Sequence, residues 1–388
     1  MKEKLLNIFK TAYGDAAGAQ VFFAPGRVNL IGDHTDYNGG HVFPGALTIG
    51  TFAAVRKRGD STLRFFSENL SKEGIIQTTL AETLPEKRLG WCDYMRGVIW
   101  AFAEQKMQCD TGLDIAVWGN IPAGSGLSSS ASLEVLTGFF LRELFGFELT
   151  NTEIALIGQK AENRFCGMNC GIMDQFTSAM GKKDHAILLD TATLQYDYAP
   201  LVLSDISIVV TNSNVKHSLV TSAYNERRAQ SEAALEKLQT VSDIQTLGDL
   251  TIAEFDRISG VLTDEILLKR ARHAVSENER VILAAKALKE GKLETFGRLM
   301  NESHVSLRDD YETSCKEMDI LAEEAWRQPG VLGSRITGGG FGGCTVSLVK
   351  KDAVDGFQAS LAAEYTKQTG LTPDFYVVSL GDGPQIID

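Results

Sequence analysis

Pro122-Ala123-Gly124-Ser125-Gly126-Leu127-Ser128-Ser129-Ser130-Ala131 is the stretch around which the rest of the chain is read. The apolar run Leu113 to Val117 leads into it as a strand. An amphipathic helix leaves it, with Leu133, Leu136, Phe140 and Leu144 on one face. Gly124 and Gly126 let backbone N–H groups turn toward a ligand without interference from a Cβ. The serines add hydroxyl donors, and the N-terminus of the helix adds partial positive charge. These are the parts of a phosphate cradle. No Lys follows as a Walker loop requires, and Ser129 stands where a dinucleotide fingerprint needs its third glycine. Taken alone, the stretch reads equally as a glycine-serine turn that caps a helix.

The chain has 388 residues, 44% of them hydrophobic, enough for two domains with substantial cores. A net charge of −12 argues against nucleic acid or an anionic membrane as the main partner. No segment reaches the ~20 apolar residues of a membrane helix. Met1 to Lys10 is an amphipathic mix without the apolar core or cleavage site of a signal peptide. Six cysteines make no disulfide framework, and no His or second Cys pair joins Cys166 and Cys170 in a zinc site. A cytoplasmic protein is expected, a monomer without an obligate protein partner.

Outward from the cradle, a first helix spans roughly Lys2 to Tyr13. The run Val21 to Gly32 reads as two strands broken at Pro25-Gly26, with Arg27 opening the second. Asp33-His34-Thr35-Asp36-Tyr37 then offers two carboxylates, an imidazole and a phenol within five residues, a set suited to a ligand with many hydroxyls. Thr150 with Glu153 forms a capping box for a helix whose apolar stripe carries Glu162 at its edge. Glu162 suits either a metal ion or a structural partner. Asp174 opens a further helix, where the macrodipole alone would account for it. Long charged helices, Asp264 to Leu288 and Leu293 to Met300, read as a solvated outer layer. Gly338 to Gly343 is followed by a strand, which excludes a Rossmann turn and favours close packing against a ligand or another backbone.

Three motifs in this order, Gly26 to Tyr37, Pro122 to Ala131 and Ile336 to Cys344, resemble those of the GHMP small-molecule kinases. Gly26-Arg27-Val28-Asn29-Leu30-Ile31-Gly32, Gly171-Ile172-Met173-Asp174-Gln175 and Ser222 to Arg228 narrow the resemblance to the galactokinase family. The resemblance implies an α+β chain of two mixed α/β domains, residues 1–200 and 201–388, with the active site in the cleft between them. It implies ATP-dependent phosphorylation of the anomeric hydroxyl of α-D-galactose. By position, Asp174 and Arg27 match the catalytic pair. Asp33, His34, Thr35, Asp36 and Tyr224 match sugar-binding residues. Ser67 and the run Gly124, Ser125, Gly126, Leu127, Ser128, Ser129 and Ser130 match the ATP site. Ser130 and Glu162 match the ligands of Mg²⁺.

Position 33 departs from the pattern: it is Asp where the family usually shows Glu, a carboxylate ~1.5 Å shorter in reach. Sugar preference is the property this affects. A kinase of N-acetylgalactosamine or arabinose, and a sugar sensor that has lost catalysis, are the alternative readings. The presence of Arg27, Ser129, Ser130, Glu162 and Asp174 favours an enzyme over a sensor.

Overall fold

The computed structural model describes residues 1–86, 88–122, 125–201, 205–215 and 220–388, so Ala123 and Gly124 of the cradle lie outside the described residues. Helix α1 (Lys2–Tyr13) buries Leu5, Ile8 and Phe9. Strands β1 (Gln20–Asn29), β2 (His41–Val42), β3 (Pro44–Lys57), β4 (Thr62–Ser67) and β5 (Ile76–Thr79) follow. Helix α2 (Asp93–Glu104) and strand β6 (Leu113–Gly119) precede three helices, α3 (Ser129–Phe145), α4 (Asn151–Lys160) and α5 (Met173–Met180). Strands β7 (His185–Asp190), β8 (Tyr196–Pro200) and β9 (Ile206–Asn212) come next. The second half runs through α6 (Val220–Leu238), α7 (Ile252–Ile258), α8 (Glu265–Lys289), α9 (Leu293–Asp309) and α10 (Lys316–Trp326). It closes with β10 (Val331–Thr337), β11 (Cys344–Lys350), α11 (Val354–Thr369), β12 (Asp374–Val378) and β13 (Gln385–Ile386).

The strands form a six-stranded sheet in the order β13-β1-β3-β6-β4-β5, a four-stranded sheet β10-β11-β9-β12 and a three-stranded sheet β2-β7-β8. Helices α2 to α5 cover the first sheet over a core that includes Phe22, Phe65, Phe102 and Phe140. A second core joins Val28, Leu30 and Phe43 from the first half to Ile208, Phe296 and Val346 from the second. That shared core fixes the two halves against each other. Truncating one of its fully buried phenylalanines to Ala would cost ~3–5 kcal/mol.

Several elements differ from the sequence expectation. The run through Pro25-Gly26 is one strand, with a register shift against β3 between Pro25 and Arg27. A bulge tolerates the missing proline N–H and lets pairing resume beyond it. A Cβ on Gly26 would lie 2.6 Å from the Leu127 carbonyl oxygen, so the bulge also brings β1 against the cradle. The capping box of Thr150 and Glu153 forms as expected, but α4 gives way to a π-turn at Ala161–Cys166 that turns Glu162 inward. Such a widened turn often marks a functional position. Helices α8 and α9 are not a solvated layer: Arg270, His273, Glu277 and Asn278 of α8 are buried, and α9 runs on to Asp309. These residues read as solvent-facing because the groups that cover them from outside the helix, Glu312 for Arg270 and Gly32 for Glu277, lie far away in sequence. Strand β10 escaped the sequence reading, and the glycine run is the turn of the β10–β11 hairpin.

Candidate active site

The bulge of β1 aims Arg27 at the N-terminus of α5, where Asp174 stands. Arg27 Nε donates to Asp174 Oδ1 and Nη2 donates to Oδ2, each at 2.8 Å. The third guanidinium nitrogen, Nη1, donates to the Gly126 carbonyl at 2.6 Å. Arg27 is buried, whereas the Asp174 side chain is partly open. A bidentate arginine fixes the plane of a carboxylate as well as its position. Ser128 Oγ donates to Asp174 Oδ2 as well.

Ser128 stands at the N-cap of α3 in the left-handed region, with φ 61°, and its side chain makes no capping bond. Its hydroxyl is used on Asp174 instead. The first N–H groups of α3 are thereby left facing the cleft, where the positive end of the helix favours an anion. Leu127 presents its carbonyl to the Arg27 N–H at 3.2 Å. Ser125 is buried and its Oγ has no partner among the described residues. Ser125 to Ser130, Arg27, Asp174 and the glycine turn 339–343 line a cleft of about 670 Å³. Gly338 and Gly340 both have positive φ, and a Cβ on Gly338 would lie 3.0 Å from the Gly126 carbonyl oxygen. Two backbones therefore close on one cleft.

A smaller chamber of about 100 Å³ opens behind it and shares Arg27, Ser130, Asp174 and Tyr224 with the cleft. Asp33, His34, Asp36 and Glu162 also line the chamber. His34 is 3% exposed and holds φ 64°, a strained conformation for a non-glycine residue. Burial, then the nearby His273, lower its pKa to about 3, against an opposing pull from the Gly339 backbone. The ring is therefore neutral. Burial and the Asp174 charge raise Asp36 to about 7. Gly171 is packed against the Asp36 carboxylate so closely that no Cβ would fit.

Asp33 is 1% exposed. Its Oδ2 accepts from Arg335 Nη2 at 2.6 Å, and its Oδ1 accepts from Asn29 Nδ2 at 2.9 Å and from the Gly338 N–H at 3.2 Å. The shorter side chain is thus met by three protein donors. The Thr35 hydroxyl donates to the carbonyls of Gly32 and His41 and does not line either space. Ser67 lies at the end of β4 opposite Val117 and lines neither space.

Residues that sequence reasoning missed hold this loop from the second half. Glu277 accepts from the Gly32 N–H at 2.9 Å, and its two arginine neighbours, Arg280 and Arg335, keep it at about 2 despite burial. His273 Nε2 lies 3.2 Å from the Asp33 carbonyl. Glu134 is a further buried residue, and it is the lone charged side chain between Ala131 and Leu141. That isolation in an apolar helix was the signal available for it.

Glu134 and Glu162 share the Gln175 amide, whose Nε2 donates to the two carboxylates at 2.9 and 2.6 Å. Burial and each other's negative charge push Glu134 well up; burial, then Asp174, raises Glu162 to about 7. Ser130 faces Glu162. Among the described residues no three His, Cys, Asp or Glu side chains cluster as a metal cage. A hydroxyl and a carboxylate, with Glu134 Oε1 lacking a hydrogen-bond partner among the described residues, fit Mg²⁺, which retains water and phosphate oxygens in its shell.

A glycine-backed anion cleft, joined to a polar chamber through an arginine–aspartate pair, defines a small-molecule kinase of the GHMP type. Residues 93–182 match the GHMP kinases N terminal domain, 284–367 the GHMP kinases C terminal domain, and 7–57 the galactokinase galactose-binding signature. The chain is 51% identical to a galactokinase of Clostridium acetobutylicum over 100% of its own length and 98% of that protein's. A galactokinase of Streptococcus suis is 50% identical, over 99% of this chain and 98% of its own. The crystal structure of Lactococcus lactis galactokinase complexed with galactose superposes with TM-score 0.97 at 45% identity, covering both chains fully. The mevalonate kinase of Methanococcus jannaschii, at 17% identity and TM-score 0.68, shares the fold across 94% of this chain and 99% of its own. The chain belongs to the galactokinase family.

Proposed function

We infer that this chain transfers the γ-phosphoryl group of ATP to the anomeric hydroxyl of α-D-galactose, giving galactose 1-phosphate and ADP. The observation that carries this reading is the Arg27–Asp174 pair, which borders both the cleft and the chamber. In this reading the chamber takes the sugar, with Asp33, His34, Asp36 and Tyr224 around its hydroxyls and Thr35 holding the loop. The cleft takes the nucleotide phosphates against Ser125 to Ser130, with Gly124 and Ser67 assigned to the same nucleotide site by the family resemblance. Asp174 takes the proton of the anomeric hydroxyl as its oxygen bonds to the γ-phosphorus and the bond to the bridging β–γ oxygen breaks. Arg27 and the N–H groups of α3 stabilise the charge that moves, the main task in phosphoryl transfer. Ser130 and Glu162 would hold Mg²⁺, which when bound neutralises phosphate charge.

The division into residues 1–200 and 201–388 belongs to the same reading. The working unit is taken as a cytoplasmic monomer; among the described residues no helix is long and apolar enough to cross a membrane. A coupled ADP-release assay with Mg²⁺-ATP against galactose, glucose, N-acetylgalactosamine, arabinose and mevalonate tests the activity. Turnover is expected with galactose far above the others. Turnover centred on another sugar would overturn the substrate and leave the kinase chemistry. Galactose binding without turnover would instead mark a sensor.

A further inference from the structure

Behind His34 lies a line of hydroxyls that the reaction itself does not use. Ser231 Oγ is 2.7 Å from Tyr311 Oη, Tyr311 Oη is 2.8 Å from Tyr37 Oη, and Tyr37 Oη is 2.8 Å from His34 Nδ1. Ser231 and Tyr311 are fully buried. The His34 ring also packs on Tyr311 and Tyr224, with centroids 4.8 and 5.3 Å away. Among the described residues its other nitrogen, Nε2, is buried without a hydrogen-bond partner, on a residue that lines the chamber beside Gly339, whose backbone favours a proton on the ring.

Each hydroxyl has one proton to place. Among the described residues Ser231 Oγ has only Tyr311 Oη as its partner, so the serine proton goes to Tyr311. Tyr311 then donates to Tyr37, and Tyr37 donates to Nδ1. In the opposite direction the serine proton would be left without an acceptor in a site closed to water, which a buried donor avoids. Asn38 also faces the Tyr311 hydroxyl, and its Nδ2 donates to the His34 carbonyl at 2.7 Å. It holds the histidine's backbone while the phenols hold the ring.

We propose that Ser231, Tyr311 and Tyr37 form a relay that fixes His34 as the Nε2–H tautomer and so presents a hydrogen-bond donor to the chamber. Tyr311 and Ser231 are positioning residues that act through His34 and do not touch the substrate. Asp36 on the same chamber, once its proton is lost, offers only acceptors. The pair suits a hydroxyl that gives its proton to Asp36 and accepts one from His34. An ether or a deoxy carbon at that position would leave one of the two unmatched. This last step rests on the chamber being the sugar site; the tautomer does not.

The test is histidine ¹⁵N NMR on the sugar-free protein, with the His34 signals assigned by their loss in His34→Gln. The wild type is expected to show one neutral tautomer protonated at Nε2. Tyr311→Phe and Ser231→Ala remove the bias and are expected to bring in the Nδ1–H form. In turnover assays both variants are expected to raise the sugar KM by about 3- to 10-fold, the effect of weakening one neutral hydrogen bond. The KM for ATP should stay unchanged. Protonation at Nδ1 in the wild type would overturn the proposal, as would a tautomer unmoved by either variant. A parallel rise in the ATP KM would reduce both residues to structural supports. If no sugar in the panel is turned over, the function fails but the NMR result still decides the tautomer.

Discussion

Arg27 and Asp174 stand 147 positions apart in the chain, yet they are joined by two parallel hydrogen bonds. Asp174→Asn keeps the size of the side chain and removes its charge and its ability to take a proton. It is expected to lower kcat by ~10²- to 10⁴-fold, with the unfolding midpoint nearly unchanged. Steady-state rates beside a urea titration check this, and a retained kcat would remove Asp174 from the reaction. Asp36, raised to about 7 by burial and the Asp174 charge, gives a pH dependence. Below that pH it carries its proton, and above it both oxygens are free to accept. The sugar kcat/KM is therefore expected to rise with pH through about 7, and Asp36→Asn should flatten that limb. Persistence of the limb in Asp36→Asn would move the titration to Glu162, which shares the value. At position 33 the structure redirects the sequence expectation. The carboxylate is held by Arg335, so the consequence of its loss is a buried arginine without its nearest partner. Asp33→Asn is expected to destabilise the fold by about 3 kcal/mol in urea unfolding, at the lower end of the penalty for breaking a buried pair. A change below the error of that titration would mean that Glu277, 3.9 Å from the guanidinium, suffices for it.

At the scale of elements, the site is made of chain turns that tolerate little bulk. The β1 bulge, the N-terminus of α3 and the β10–β11 turn meet at Gly26, Gly126 and Gly338. Gly340 has φ +74°, and a Cβ there would overlap the Thr313 carbonyl oxygen. Gly340→Ala is expected to lose about 1–3 kcal/mol of stability from the left-handed backbone alone, and to raise the ATP KM as the turn shifts off the cleft. Urea unfolding and ATP titrations measure the two effects. The helices that carry the site were legible in sequence because their capping and periodicity are local. Both the α1 span and the box of Thr150 with Glu153 follow from neighbours within a few residues. The bulge was not legible, since Pro25-Gly26 breaks a strand or bends it according to what pairs beside it. Burial of α8 was hidden for a related reason: Arg270 and Glu277 look solvated until Glu312 and Gly32 are brought to them.

Over the whole molecule, the chain's end returns to its beginning. Strand β13 pairs with β1 at Phe22 and Phe23, the Ile387 N–H donates to the Val21 carbonyl at 2.8 Å, and Asp382 accepts from the Lys183 N–H at 2.9 Å. A chain ended at Gly381 is expected to lose about 2 kcal/mol and a few degrees of thermal midpoint, because several hydrogen bonds of ~0.5–1.5 kcal/mol each disappear. None of the removed residues lines the cleft or the chamber, so kcat and both KM values at 25 °C should match the full chain. A matching thermal midpoint would make the closure unimportant. By itself the sequence determined the class of protein, the order of the motifs and the choice of Arg27 and Asp174 as the pair proposed to react, because residue type and short spacing carry that information. Only the tertiary structure decided that Asp33 is held by Arg335, that Glu134 lies beside Glu162, and that Tyr311 and Ser231 stand behind His34. Those relations join residues from distant parts of the chain through buried polar contacts, and a buried charge takes its meaning from the partner that folding brings to it.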